Sequence, residues 1–170
     1  MGTVNSDLIT NIVASPTVKN DVGVSGGRLR IQAGTIALGT GDIDDNDIIR
    51  LCRLPIKARI FGIYFLNGDL DTGGTGLTFN IGLYQTDGTV IDEDCYALDA
   101  AQLQGAVTTL MTNHAFEQRD INAIEQVLWE DAGLSAVPSY GEVDLCITIS
   151  AVATTAAAEQ LTFMVYYTID

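Results

Sequence analysis

An acidic segment, GTGDIDDNDIIRLCRLP at residues 39–55, is the first place where this sequence offers ligands for a metal ion. Five of its six residues from Asp42 to Asp47 are Asp or Asn, and oxygen ligands of this kind suit Ca²⁺. An EF-hand loop beginning at Asp42 would require glycine at its sixth position and glutamate at its twelfth, but the sequence has Asp47 and Arg53 there. We therefore interpret the segment as an acidic turn that leads into a strand. Its weak candidates for calcium are Asp42 and Asp44.

A second acidic loop, NGDLDTGGTG at residues 67–76, contains Asp69 and Asp71 followed by glycines. Counted from Asp69, its twelfth position is Asn80, so the bidentate glutamate of a calcium loop is missing here too. Asp69 and Asp71 are again weak calcium candidates. We predict a protein without a metal or cofactor.

Residues for catalysis are sparse. His114 is the only histidine, and the sequence contains neither a P-loop nor a GxGxxG fingerprint. Adjacent acids such as Glu130 and Asp131 occur in polar segments, where carboxylates are usually solvated. We therefore predict that the protein is not an enzyme and that His114 lies at the surface or in a turn.

Length and cysteine content indicate one domain that folds without covalent or metal cross-links. A chain of 170 residues is long enough to bury a core. Its cysteines, Cys52, Cys95 and Cys146, are odd in number and lack CxxC spacing, so they are interpreted as small hydrophobic residues of strands. No apolar run is long enough to span a bilayer, so we expect a soluble protein made in the cytoplasm.

The net charge is −14, which disfavours binding to nucleic acid or to anionic membranes because both would repel the protein. The charges are also unevenly distributed. Residues 1–59 hold seven of the eight basic residues, whereas residues 60–170 hold Arg119 alone against sixteen acids. This separation suggests one face that meets a partner and another that stays in solvent.

The patterning along the chain predicts an all-β fold with an N-terminal arm. Residues 1–28 lack a sustained hydrophobic period, and we interpret them as an extended arm. Residues 29–170 contain at least seven runs of high β-propensity, and LTFNIGLYQT at residues 77–86 alternates most regularly. Asp87-Gly88 predicts a tight turn between two strands.

One segment, INAIEQVLWEDAGL at residues 121–134, has helical spacing instead. Asn122 with Glu125 resembles a capping box, and Gly133 is suited to end the helix. We predict two to three helical turns here, with Ile121, Ile124, Val127 and Leu128 on one face. The complete pattern favours a jelly-roll-like β-sandwich with one short α-helix and an extended N-terminal arm.

A family resemblance rests on four stretches: DIIRLCRLPIKARIFGIYFLNGDLD, FNIGLYQTDGTVIDEDCYA, INAIEQVLWEDAGLS and VDLCITISA. In their order and spacing they resemble small structural proteins of tailed bacteriophages and prophages, from about residue 30 to the end of the chain. Proteins of this kind resemble capsid decoration, or cement, proteins, which are jelly-roll-like and clamp adjacent major capsid proteins from outside the head. The resemblance implies a virion protein on the capsid exterior whose partners are the major capsid protein and copies of itself.

For such a protein the basic residues are candidates for capsid contact, because the arginine fork can pair with carboxylates in two places at once. The predicted contact residues are Arg28, Arg30, Arg50, Arg53, Lys57 and Arg59. The resemblance favours a homotrimer, with a dimer as second choice. Two alternatives stay open: a carbohydrate- or receptor-binding module of a phage fibre, with Tyr84, Tyr96 and Tyr140 as candidates, and a minor head-tail connection protein.

Overall fold

The computed structural model describes residues 4–109, 112–120 and 122–169. Seven strands make up most of the regular structure: β1 (Arg30–Leu38), β2 (Ile48–Pro55), β3 (Arg59–Asn67), β4 (Thr78–Gln85), β5 (Val90–Ala100), β6 (Glu142–Ala151) and β7 (Glu159–Thr168). Two α-helices flank them, α1 (Asp7–Val13) and α2 (Leu128–Asp131). Single 3-10 turns lie at Gln102–Gln104 and at His114–Phe116.

The strands form two antiparallel sheets. A three-stranded sheet has the order β1-β7-β3, and a four-stranded sheet has the order β2-β6-β4-β5. The chain passes from one sheet to the other between β1 and β2, between β2 and β3, between β3 and β4, and between β6 and β7. The predicted jelly-roll-like sandwich is confirmed.

The core lies between the two sheets and follows the alternation of the strands. Along β4 and the residue before it, the alternate residues Leu77, Phe79, Ile81 and Leu83 are all fully buried, as the sequence predicted. The turn after β4 is also confirmed, since Gly88 has a positive φ of 97° and its N–H donates to the Gln85 carbonyl.

Cys52, Cys95 and Cys146 are free thiols on three different strands. Burial raises the pKa of Cys52 and of Cys146 to about 12.

Strand β2 departs from simple alternation. Alternation predicted Arg53 on the same face as Ile49 and Leu51, but the pairing register with β6 shifts between Arg50 and Cys52. A bulge of this kind reverses the facing of every residue that follows it. Arg53 is therefore exposed beside Arg50, and Leu54 points inward and is fully buried.

The predicted helix of two to three turns is wrong in length, because α2 has only four residues. Asn122 and Glu125 form no capping box, since the Asn122 N–H donates to Asp120 instead. Ile124 is exposed, and Ile121 lies outside the described residues. The N–H groups of Leu128 and Trp129 donate to carbonyls of the β2–β3 connection, which removes them from a longer helical ladder. Gly133 ends the helix with a φ of 66°, as predicted.

The predicted arm is not extended throughout, because α1 forms within it. Ser6 caps this helix by accepting a hydrogen bond from the Ile9 N–H. Further along, the arm reaches the sandwich, where Thr168 at the end of β7 donates to the Gly23 carbonyl. Within the described residues, no helix is long and apolar enough to cross a membrane.

Candidate partner-binding surface

The six basic residues predicted to contact a partner fall into three different environments. Arg50 and Arg53 extend from β2 on the outer side of the four-stranded sheet and share Asp144 of β6. Nε of Arg53 lies 2.7 Å from Oδ1 of Asp144, and Nη1 of Arg50 lies 3.3 Å from Oδ2. These two arginines are therefore occupied within the chain, although about half of each side chain is exposed.

Arg59 is a buried residue at the start of β3, and its side chain faces Asp21 in the later part of the arm. Its Nη2 lies 2.8 Å from the carboxylate of Asp21, and its Nε donates to the Glu125 carbonyl at 2.7 Å. The residue is only 8% exposed, which leaves little of its side chain for an external partner. The prediction that Arg59 belongs to a contact surface is therefore replaced by an internal role: it fastens the arm to the sandwich.

Arg28, Arg30 and Lys57 remain exposed. In the described part of the chain these three residues form no ion pair. Arg28 and Arg30 stand on either side of Leu29, where the arm enters β1. No acidic side chain of the described residues pairs with the charge of either arginine.

The outer side of the three-stranded sheet carries an apolar surface that charge and motif reasoning had not identified. Its residues are neighbours across paired strands. Ile31 of β1 lies beside Tyr166 of β7, and Met164 of β7 lies between Ala33 of β1 and Tyr64 of β3. We call this surface the apolar face and define it by Ile31, Ala33, Tyr64, Leu66, Met164 and Tyr166. The sequence signal that would have identified it is a pair of apolar residues on each strand, Tyr64 with Leu66 and Met164 with Tyr166, at positions that alternate with buried core residues.

The apolar face is ordered by packing among its aromatic rings. Tyr64 and Tyr166 meet edge to face with their centroids 5.5 Å apart. Gly62 lies under Tyr64, and a Cβ at this position would collide with the tyrosine ring. Together with Leu29 and Phe61, the rings border a depression of about 310 Å³.

The first acidic segment is a turn, as predicted. The Asp42 carboxylate accepts from the Gly39 N–H, and the Asp47 carboxylate accepts from the Asp44 N–H. Ile43 between them is buried in the core, and strand β2 follows directly. The carboxylates of this segment thus close the turn that carries Ile43 inward.

The second acidic loop is organised around Asp71, which is buried. Its carboxylate accepts from the N–H groups of Thr155, Gly76 and Leu77 at 2.8 to 3.1 Å. These backbone hydrogen bonds, led by that of Thr155, lower the pKa of Asp71. Asp69 accepts from the Asp71 N–H. Within the described ranges no three His, Cys, Asp or Glu side chains lie close enough together to hold a metal ion.

The sequence predicted His114 at the surface or in a turn, and the turn is confirmed but the surface position is not. It lies in a 3-10 turn, but its ring is buried between Phe65 and Phe79. Nδ1 lies 2.7 Å from Glu117 and Nε2 lies 2.7 Å from Gln102. Burial lowers its pKa, and Glu117 partly opposes that shift.

Residues 23–27, GVSGG, match the letters of the GxSxG nucleophile elbow. That motif places serine between a strand and a helix and requires a histidine base. Here the segment lies in turns before β1, and both ring nitrogens of His114 are engaged elsewhere. The arrangement therefore does not supply a catalytic serine.

A buried polar cluster near α2 was also missed by sequence reasoning. Arg119 donates through Nε and Nη2 to the carboxylate of Asp131 and through Nη1 to the Ile60 carbonyl. The Tyr96 hydroxyl donates to Asp131 at 2.7 Å. Burial raises the pKa of Asp131, and the hydrogen bonds from Arg119 oppose this. Because each partner is satisfied within the cluster, its role is to hold α2 against β3 and β5.

The tyrosines considered for carbohydrate binding are mostly inside the protein. Tyr84 and Tyr96 are almost completely buried, and Tyr140 packs partly against the core. Tyr84 hydrogen bonds with Thr148, and Tyr96 with Asp131. They do not form the exposed aromatic platform that a glycan-binding module requires.

Comparison with known proteins identifies the fold. No protein-family model and no curated protein matches the sequence. A chain of the cyanophage Pam1 capsid asymmetric unit is 22% identical, with a TM-score of 0.58 and coverage of 100% of both chains. A chain of the capsid of Ralstonia phage GP4 is 18% identical, with a TM-score of 0.62 and coverage of 85% of this chain and 86% of that one. The protein therefore has a fold that is also found in chains of phage capsids.

Proposed function

We propose that this protein is a structural component of a tailed-phage virion that binds the outside of the capsid and cements adjacent major capsid proteins. The observation that carries the proposal is the match over the full length of a chain in the cyanophage Pam1 capsid asymmetric unit. The match covers the whole of both chains, so the likeness extends over the arm and the sandwich together. The sequence resemblance to decoration proteins supports the same role.

The distribution of charge fits this role. Arg28, Arg30 and Lys57 are exposed and lack an ion pair within the described residues, so they are available to carboxylates of a coat protein. The remainder of the chain is strongly acidic and remains soluble when it faces solvent. The partners in this proposal are the major capsid protein and copies of this chain, in a homotrimer first and a dimer second. It assigns neither a nucleic-acid partner nor a membrane partner.

Co-sedimentation with expanded capsids that lack this protein tests the proposal. We expect saturable binding of the full chain. We also expect much weaker binding after deletion of residues 1–19, which removes α1 but retains the contacts of Asp21 with Arg59 and of Gly23 with Thr168. Deletion as far as Arg28 is a poorer test, since it would leave buried Arg59 without Asp21.

A charge variant distinguishes specific contact from general adhesion. We expect Arg28→Gln combined with Arg30→Gln to weaken capsid binding about tenfold. Arg50→Gln serves as the control, because Arg53 still pairs with Asp144 in that variant, and it should bind normally. Absence of capsid binding by the full chain would overturn the proposal.

The number of copies per particle separates a cement protein from a minor head-tail connection protein. Capsid symmetry repeats an exterior site many times over the shell, whereas a connector occupies one vertex. We therefore expect about tens to hundreds of copies per virion by quantitative mass spectrometry. A dozen or fewer would favour the connector.

A further inference from the structure

The apolar face has the character of an interface. Its outward side chains are aliphatic, aromatic or thioether groups, yet the chain that carries it has a net charge of −14. Ile31 is 56% exposed, and Leu29 at the border is 55% exposed. An apolar patch that is rimmed by polar residues marks a site of association.

Helix α1 carries the second uncovered apolar surface of the molecule. Leu8 and Ile12, and likewise Ile9 and Val13, are four residues apart and therefore share one side of the helix. None of its seven residues is buried, and Ile12 and Val13 are 55% and 64% exposed. So short a helix is marginal in water unless its apolar side is packed against a partner.

We infer that helix α1 of one copy docks on the apolar face of a second copy of this chain. The contact joins the two uncovered apolar surfaces of the same sequence, so it requires no other protein. It can be measured with the purified protein in solution, without a capsid.

Charge complementarity supports a second copy as the occupant. Asp7 is the only charged residue of helix α1. Arg28 and Arg30 lie at the end of the apolar face where Leu29 borders the depression, and they lack an ion pair among the described residues. A docked helix therefore brings its single carboxylate to two arginines and otherwise buries uncharged surface. Contact elsewhere would bring together the acidic surfaces of two chains and be opposed by their repulsion.

The attachment of the arm leaves helix α1 able to reach a neighbour. The hydrogen bonds of Asn20 with Asn11 and with the Leu8 carbonyl lie within the arm itself. Asp7 meets a second carboxyl group at Glu125, and the hydrogen bond between them lowers the pKa of Asp7 and raises that of Glu125. Like charge opposes this contact when both carboxyl groups are ionised. Full extension of residues 14–19 to about 20 Å would release the hydrogen bonds that join Asn11 to Val18 and to Asn20, so the helix reaches a neighbour either with these contacts kept or at the expense of them.

The predicted contact is heterologous, since a helix on one copy meets a sheet on the next. Such contacts close into a ring when the rotation between copies permits it. This geometry is compatible with the proposed homotrimer, which would then contain three equivalent contacts.

Sedimentation velocity of the full chain across the micromolar range tests the inference without any capsid. We expect concentration-dependent self-association, and we expect Ile31→Glu on the apolar face to weaken it at least about tenfold. Ile48→Glu is the matched control, because Ile48 is an exposed isoleucine near the start of a strand in the other sheet. On the arm, Ile12→Glu should act like Ile31→Glu, and Val18→Glu should have no effect. A strictly monomeric full chain, or equal effects of Ile31→Glu and Ile48→Glu, would overturn the inference.

Disulfide trapping identifies the occupant directly. After mild oxidation of a mixture, Ile12→Cys chains and Ala33→Cys chains should form a covalent dimer. The same Ile12→Cys chains mixed with Leu98→Cys chains should not, since Leu98 is exposed on β5 in the other sheet. The native thiols have raised pKa values and react slowly by comparison.

The double variant Ile12→Cys/Ala33→Cys completes the test. Covalent oligomers of this variant are expected if the helix docks between copies. A disulfide formed only within one chain would overturn the inference by showing that the helix folds back on its own sheet. Failure of capsid binding in the co-sedimentation assay would leave this result unaffected, so the two proposals fail separately.

Discussion

On the outer side of the four-stranded sheet, polar side chains satisfy one another across the strands. Asp144 accepts from Arg50 and Arg53, Tyr84 bonds to Thr148, and Ser150 joins Thr78 to Asp99. On the outer side of the three-stranded sheet, Thr35 and Thr162 form one such contact, but the neighbouring side chains of the apolar face are mostly apolar. The two outer faces of the sandwich therefore differ. The polar groups of the first are hydrogen-bonded within the chain, whereas the apolar side chains of the second would be stabilised by burial against a partner.

Loss of stability should be largest where an internal polar cluster is most completely buried. Asp131→Ala removes the carboxylate that pairs with Arg119, whose side chain is 2% exposed, and leaves a buried charge without its partner. We expect the free energy of unfolding to fall by about 3–5 kcal/mol in urea denaturation. Asp120→Ala is the control in the same segment, because Asp120 is exposed, and it should cost less than about 1 kcal/mol. Similar losses in both variants would contradict this account of the cluster.

The outer side of the four-stranded sheet should show an intermediate loss. Asp144→Ala removes the shared acceptor of two arginines, which can still reach water because each is about half exposed. We expect a loss of about 2 kcal/mol, also measured by urea denaturation. Glu142→Ala, two residues earlier on β6 and exposed, should be nearly neutral. A neutral Asp144→Ala would show that this face is not internally stabilised.

The core histidine should make stability depend on pH. Because burial lowers the pKa of His114 in the folded protein, the unfolded chain binds a proton first as the pH falls below about 6.5. Stability from this group is therefore fully present above that pH and declines below it, by at most about 1.4 kcal/mol per pH unit. Denaturant titrations between about pH 7 and pH 5 should show this slope, and His114→Gln should remove it. An unchanged slope in the variant would assign the effect to other groups.

The smallest change in folding stability is expected on the apolar face. Ile31→Thr alters a side chain that is more than half exposed, so the free energy of unfolding should change by less than about 0.5 kcal/mol. The measurement is made well below the concentration at which the protein associates, since association would add its own stability. A loss above about 1 kcal/mol would mean that Ile31 stabilises the single chain, and the contrast between the faces would weaken.

Much of the fold was predictable because its information is local. The alternation of Leu77, Phe79, Ile81 and Leu83 placed β4 correctly, and Asp87-Gly88 located its turn. The facing of Arg53 was not predictable, because one bulged residue in β2 reverses everything after it. The helix was overestimated because backbone donors of Leu128 and Trp129 bond to the chain near β3, which periodicity does not reveal.

The candidate surface was predictable only in part. Charge counting selected Arg28 and Arg30 as contact residues, and both are exposed in the structure. It also selected Arg50, Arg53 and Arg59, whose partners are distant in sequence: Asp144 is 91 residues beyond Arg53, and Asp21 is 38 residues before Arg59. The burial of His114 was missed for the same reason, since its neighbours come from three separate segments.

The fastening of the arm by Arg59 has a mechanical consequence. A pull on helix α1 travels along the arm and meets the ion pair of Asp21 with Arg59, and the hydrogen bond of Gly23 with Thr168, before it reaches β1. The load is thereby delivered to β3 and β7 together at one end of the sheet. β1 is an edge strand, and force applied to its end would break its hydrogen bonds with β7 one after another. The contacts of Asp21 and Gly23 bear that force first, so β1 is not loaded until they break.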